Sequence, residues 1–176
     1  MHARVTTTVA VLLTVIAGGC ARAEVEPAGP GPVAPEVHAR WESCPPAGDP
    51  NESTLEAYGL PVLDDAFQPV AAVVCRVELR ERAGGGTETI AEELRAEDVG
   101  ALVTALRLPD EAATAQACTE EFHLVPWLAL LDREGRWVRP GVPIDSCRKP
   151  RIEFRTALGE LTTTTVSSRI VEQPGR

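Results

Sequence analysis

The sequence predicts an α+β domain: a small, mostly antiparallel sheet with two packed helices, stapled by two disulfides. Three observations carry that prediction. Apolar residues recur with period two from Val73 to Leu79, two later stretches repeat at helical spacing, and four cysteines lie downstream of residue 40. A chain of 176 residues holds one such domain and little more.

The elements follow in order along the chain. Residues 43–53 are turn-rich, and Ser53 is placed to cap one short helical turn through Tyr58, ended by Gly59 and Pro61. Val73, Cys75, Val77 and Leu79 alternate with Val74, Arg76, Glu78 and Arg80, which reads as a half-buried strand. Gly84-Gly85-Gly86 breaks it, and Thr87 to Leu94 returns as the second strand of a hairpin. Val99, Leu102, Val103 and Leu106 follow the i, i+3, i+4, i+7 rule, with Glu97 and Asp98 at the positive end and Pro109 as the stop. Trp127 to Leu131 reads as a buried strand, Asp132-Arg133-Glu134-Gly135 as a turn and Arg136 to Arg139 as the return. Phe154, Ala157, Leu158 and Leu161 repeat at helical spacing, and β-branched Thr162 to Val171 is the last strand.

The five cysteines are Cys20, Cys44, Cys75, Cys118 and Cys147. The last four are 31, 43 and 29 residues apart, without the close pairing that zinc sites use, so they read as structural disulfides and not as a metal site. Four cysteines allow three connectivities. A hairpin centred between Arg133 and Glu134 sets position 118 opposite about position 149, close to Cys147, and the midpoint of the other pair falls at Gly59-Leu60, beside a turn. Cys44–Cys75 and Cys118–Cys147 are therefore the expected bridges.

Residues 1–19 read as a signal peptide: Arg4 precedes a chargeless stretch whose densest apolar run, Val9 to Ala17, is too short to span a bilayer. Ile16-Ala17-Gly18-Gly19-Cys20 resembles a bacterial lipobox, with Ala17 where Leu is usual. The resemblance implies cleavage before Cys20 and a diacylglyceryl group on its thiol. It also accounts for the odd cysteine and leaves an even number in an oxidising compartment. Residues 20–40 then form a lipidated Cys and a disordered Pro-rich tether, with His38 as a solvated linker residue, and the folded domain spans 41–176.

Sixteen of the seventeen basic residues are Arg, and the net charge of −9 argues against a nucleic-acid partner. Charge is uneven: residues 20–70 hold nine acids and two Arg, whereas residues 118–176 hold eight acids and nine bases. In the latter part Arg148, Lys149 and Arg151 follow Cys147, with Arg133, Arg136 and Arg139 nearby, a candidate surface for an anion or acidic partner. Catalytic signals are poor. A triad would need His123 beside Asp132 or Asp145 and a serine such as Ser146, but no G-x-S-x-G elbow occurs. The neighbours Glu92-Glu93 and Glu120-Glu121 point to opposite faces of a strand and read as solvated rather than as a glycosidase pair. No Walker loop, dinucleotide fingerprint or EF-hand loop is present, so no cofactor is expected.

The run from Cys118 to Arg151 resembles the second half of small secreted or lipid-anchored actinobacterial proteins of unknown function, through Asp132, Gly135, Arg136, Pro143, Asp145 and Cys147. A second resemblance is to secreted subtilisin-inhibitor domains, with two disulfides and an exposed loop after a Cys; here that loop is Thr119-Glu120-Glu121-Phe122. The leading expectation is a lipid-anchored protein on the extracytoplasmic face of the cell membrane. It acts as a non-catalytic binding or surface structural module toward an envelope protein or anionic polymer. A protease inhibitor and, behind it, a hydrolase are the alternatives.

Overall fold

The computed structural model describes residues 33–46, 50–114 and 116–171, all within one compact unit, residues 32–176. The expected signal peptide and Cys20 lie outside the described residues, as does most of the expected tether. Among the described residues no helix is long and apolar enough to cross a membrane.

Among the described residues five antiparallel strands form one sheet. They are β1 (Ala71–Glu81), β2 (Thr87–Ala96), β3 (Trp127–Leu131), β4 (Trp137–Val138) and β5 (Thr164–Val171), in the spatial order β4-β3-β1-β2-β5. β1 and β2 make the expected hairpin, with Cys75 opposite Glu93 and Glu81 opposite Thr87. Its turn needs glycine: Gly85 and Gly86 have φ of 88° and 84°, a region that costs other residues strain. The β3–β4 turn likewise places Gly135 at φ 76°. Its Asp132 carboxylate accepts the backbone N–H groups of Glu134 and Arg136 and pairs with the Arg136 side chain. Burial pushes the Asp132 carboxyl up, but the Arg136 side-chain and backbone hydrogen bonds outweigh it and hold the group below the usual carboxylate range.

Among the described residues three helices accompany the sheet: α1 (Pro50–Gly59), α2 (Gly100–Leu106) and α3 (Ile152–Gly159). α2 packs on α3, and their Leu102, Leu106 and Phe154 bury against Leu130, Val138 and Val125 on one face of the sheet. The helical spacings at 99–106 and 154–157 are thus core-facing, as the pattern requires. α1 is longer than the single turn expected from Ser53. It opens at Pro50, whose fixed φ and missing N–H suit a first helical turn. Thr54 and Ala57 of α1 are buried.

Two expectations change. β1 is not half-buried along its length: Ala71–Val74 are buried on both faces, and Arg76–Glu81 are exposed on both. The reason is local cover. At the near end the helices lie on one face, and Trp41, Trp127 and Trp137 pack over Ala71, Val73, Ala129 and Leu131 on the other. β3 stops pairing with β1 at Cys75 opposite Trp127, and the rest of β1 projects beyond it.

The second change concerns residues 33–40. His38 is not a solvated linker residue. It pairs antiparallel with Trp137 (N–H to carbonyl 2.8 and 3.0 Å in the two directions), and their rings stack at 4.0 Å. Pro35 is also buried, so the chain joins the domain before Trp41. A period-based reading misses this because a single bridge and a ring stack have no periodicity.

Both expected disulfides are present. Cys44–Cys75 ties this amino-terminal segment to β1, and Cys118–Cys147 ties the long strap between α2 and β3 to the loop before α3, each with Cα atoms 5.7 Å apart.

Candidate functional site

The point where β3 leaves β1 opens a cleft. Pro126 has no N–H to extend the ladder past Trp127. Val125 instead turns to α1, donating its N–H to Thr54 Oγ1 (2.9 Å). On the other side the Cys44–Cys75 bridge draws residues 43–46 across the sheet. Between these walls lies a half-open cavity of ≈ 420 Å³. Its floor is the Cys75, Val77, Ala91, Glu93, Ser167 and Arg169 face of β1, β2 and β5, and its rim includes Glu52 and Glu56 of α1. The size falls within the usual range for small-ligand sites.

Glu93 organises one wall. The residue is 7% exposed, and its carboxylate accepts Trp41 Nε1–H at 3.0 Å and the Cys44 backbone N–H at 3.1 Å. The Glu92-Glu93 pair does point to opposite faces, but only Glu92 is surface-bound, pairing with Arg76 at 2.9 Å. Glu93 was expected to be solvated and is a buried clamp; its partners come from 52 and 49 residues upstream, beyond any local spacing rule. Arg169 closes the far end by donating to the Pro45 carbonyl at 3.3 Å. Arg139 lies 5.2 Å over the Trp127 ring and pairs with Glu56 at 2.7 Å.

All three tryptophans gather beside this cleft. Trp41, Trp127 and Trp137 have ring centroids 5.3–5.7 Å apart, within the range of favourable tilted and edge-on pairs. Positions 41, 127 and 137 share no sequence period; the β3–β4 pairing and the amino-terminal segment bonded to β4 bring them together.

The basic strip is divided rather than gathered. Arg148 is exposed at φ 60°. Lys149 Nζ donates to Thr119 Oγ1, across the Cys118–Cys147 bridge. Arg151 turns inward, pairing with Glu153 at 2.8 Å and Glu111 at 3.5 Å and donating to the Pro109 carbonyl. The Arg151 hydrogen bond in turn holds the Glu153 carboxyl below its usual range. Arg136 is paired with Asp132 and Glu134, and Arg139 with Glu56.

His123 lies near Arg155 (3.0 Å from Nε2) and Glu121 (3.5 Å). Asp132 serves the β3–β4 turn, and Asp145 accepts the backbone N–H groups of Cys147 and Lys149. The residues that a triad would combine are thus engaged elsewhere. Among the described residues no group of three or more His, Cys, Asp or Glu is placed to hold a metal ion. Thr119, Glu120, Glu121 and Phe122 are exposed, with Phe122 54% accessible.

Comparison with known proteins is negative: no family model, no curated protein and no solved structure matches the chain.

Proposed function

We propose that the protein is a lipid-anchored extracytoplasmic binding module whose ligand seats in the cleft beside the Cys44–Cys75 bridge. The observation that carries this reading is the cleft itself, ≈ 420 Å³ and lined by six separate stretches of chain around a disulfide. Two disulfides suit an oxidising compartment outside the cytoplasm. The lipobox-like residues before Cys20 supply the anchor, and two acyl chains give stable membrane attachment where one does not. Glu93, Trp41 and Trp127 shape the site without reactive geometry, which favours binding over turnover.

Two measurements test the reading separately. Cys20→Ala is expected to release the chain from the membrane fraction or stall its processing; unchanged fractionation with an unmodified Cys20 in the parent defeats the anchor. Ala91→Trp fills the cleft floor and is expected to abolish capture of a native envelope partner, identified by mass spectrometry, that the parent and Thr162→Arg both retain. Equal capture by all three removes the cleft from the proposal.

One observation supports a second reading, a protease inhibitor. The exposed Thr119–Phe122 run follows directly on a disulfide cysteine, and Lys149 holds Thr119 from across that bridge. Slow cleavage at this run by a subtilisin-type protease, with inhibition of the protease, supports it; rapid cleavage without inhibition excludes it.

A further inference from the structure

Beyond Cys75, β1 has a bare edge on the side that β3 covers earlier. The β1–β2 register runs without a shift from Ala72 opposite Ala96 to Glu81 opposite Thr87, and the hairpin closes with the Arg82 N–H donating to the Gly86 carbonyl at 2.9 Å. Bonded residues alternate along an antiparallel ladder. Even-numbered residues of β1 therefore bond to β2, and odd-numbered ones turn their backbone N–H and C=O to the other side. Up to Cys75, opposite Trp127, those groups meet β3. From Val77 onward, among the described residues, no strand takes them. The usual guards of such an edge are missing. Residues 76–81 contain no Lys and no Pro, and their pairing has no bulge. Their charged side chains lean away from the edge: Arg76 pairs with Glu92 at 2.9 Å and Arg80 with Glu88 at 3.2 Å, both on β2.

The cavity beside the Cys44–Cys75 bridge reaches this edge. Its lining takes in Cys75, Arg76 and Val77 in succession, which point to both faces of β1, and Val125 and Pro126, where β3 turns off. We propose, resting on the cleft as a ligand site, that its occupant is an extended peptide segment of a partner protein. The segment joins the edge of β1 antiparallel, in line with β3, and sets a basic residue between two apolar ones. That pattern follows from the register, because directly opposed residues of antiparallel strands point to the same face. The two apolar residues stand opposite Val77 and Leu79, whose side chains are exposed. They continue the face on which Cys75 and Trp127 lie. The residue between them stands opposite Glu78 on the other face. Glu78 and Glu92 share the Arg76 guanidinium, at 3.0 and 2.9 Å, and Glu52 is exposed at the rim, so a cation meets an excess of carboxylate. An acid there would add to it, in a chain of net charge −9.

The test uses the full chain in detergent and an acetylated, amidated peptide of valine, arginine and valine flanked by threonines. The pairing uses the valine N–H groups and leaves those of arginine and threonine facing away. Two methylated copies keep the charge: one is N-methylated on both valines, the other on the arginine and one threonine. The first is expected to bind about tenfold or more weaker than the unmethylated peptide, from two lost hydrogen bonds, and the second within about twofold of it. The unmethylated peptide should also slow amide exchange at Val77 and Leu79 more than at Glu78 and Arg80, which already bond to β2. No binding of the unmethylated peptide, equal binding of the two copies, or no protection at Val77 and Leu79 overturns the proposal. So does protection of both amides before any peptide is added, which puts another stretch of this chain or a second copy on the edge. Loss of a native partner from Ala91→Trp, with the two methylated copies binding alike, keeps the cleft as the ligand site and removes the strand pairing alone.

Discussion

Ala71–Val74 and Arg76–Glu81 flank Cys75 in one strand, and their environments are opposite. The first is buried on both faces; the second is exposed on both, with Leu79 75% accessible. The residues follow the cover: Ala71–Val74 is a continuous apolar run, as a strand covered on both faces requires, whereas Arg76–Glu81 alternates charged and apolar residues. The neighbours change at the same point: β3, the helices and the tryptophan group end at Cys75, while only β2 continues. Stability should concentrate before that residue, and binding surface beyond it.

Phe154→Ala attacks the near half where it is densest. The side chain is 1% exposed, and its loss should cost about 3–5 kcal/mol, read as a shift in the urea midpoint. The bridge at the boundary comes next. Replacing Cys44 and Cys75 together by Ser should cost about 3.7 kcal/mol in the chain-entropy view, for a loop spanning 31 residues. A variant that keeps the parent's midpoint would show that the amino-terminal segment is held without it.

Glu93→Ala leaves the Trp41 and Cys44 donors without an acceptor and should cost about 1–3 kcal/mol. Hydrogen exchange in residues 38–46 should rise in the same variant, while α2 and α3 stay protected. Exchange rising evenly through the domain would place Glu93 in the common core and blur the boundary.

Acid provides a gentler probe. Asp132 has a depressed folded-state pKa, so its contribution is present at neutral pH and lost as pH falls through that depressed value. Asp132→Asn should lower stability at neutral pH and flatten the decline on acidification, measured by urea midpoints from neutral to strongly acidic pH. An unchanged acid limb would assign the loss to other carboxylates. Smallest of all, Leu79→Ala should change stability by less than about 0.5 kcal/mol, as expected for a surface position. A cost near that of a core truncation would contradict the exposed arm.

Much of the fold is legible from local periods. The β1–β2 hairpin, α2 and the β3–β4 turn each announce themselves through spacing or turn residues, and the hairpin centre near Glu134 already indicates Cys118–Cys147. The site is far less legible. Glu93 looks like one of two adjacent surface acids, and His38 like part of a proline-rich tether. Each acquires its role from a partner about fifty or a hundred residues away, at Trp41 or Trp137. The strip at 148–151 fails in the opposite sense. Adjacent charges in sequence suggest a shared field, whereas Arg151 is withdrawn by Glu111 and Glu153.

The Cys44–Cys75 bridge also sets how the domain bears mechanical load. A pull applied through residue 33 first meets the His38–Trp137 pairing and the Trp41 contact, which can yield one after another. At Cys44 the pull passes covalently into Cys75, in the central strand. Tension is then carried along β1, between β2 and β3, in shear across many hydrogen bonds instead of unzipping an edge. The amino-terminal segment is thereby an extensible leader of bounded length, with a hard stop before the hydrophobic core is reached.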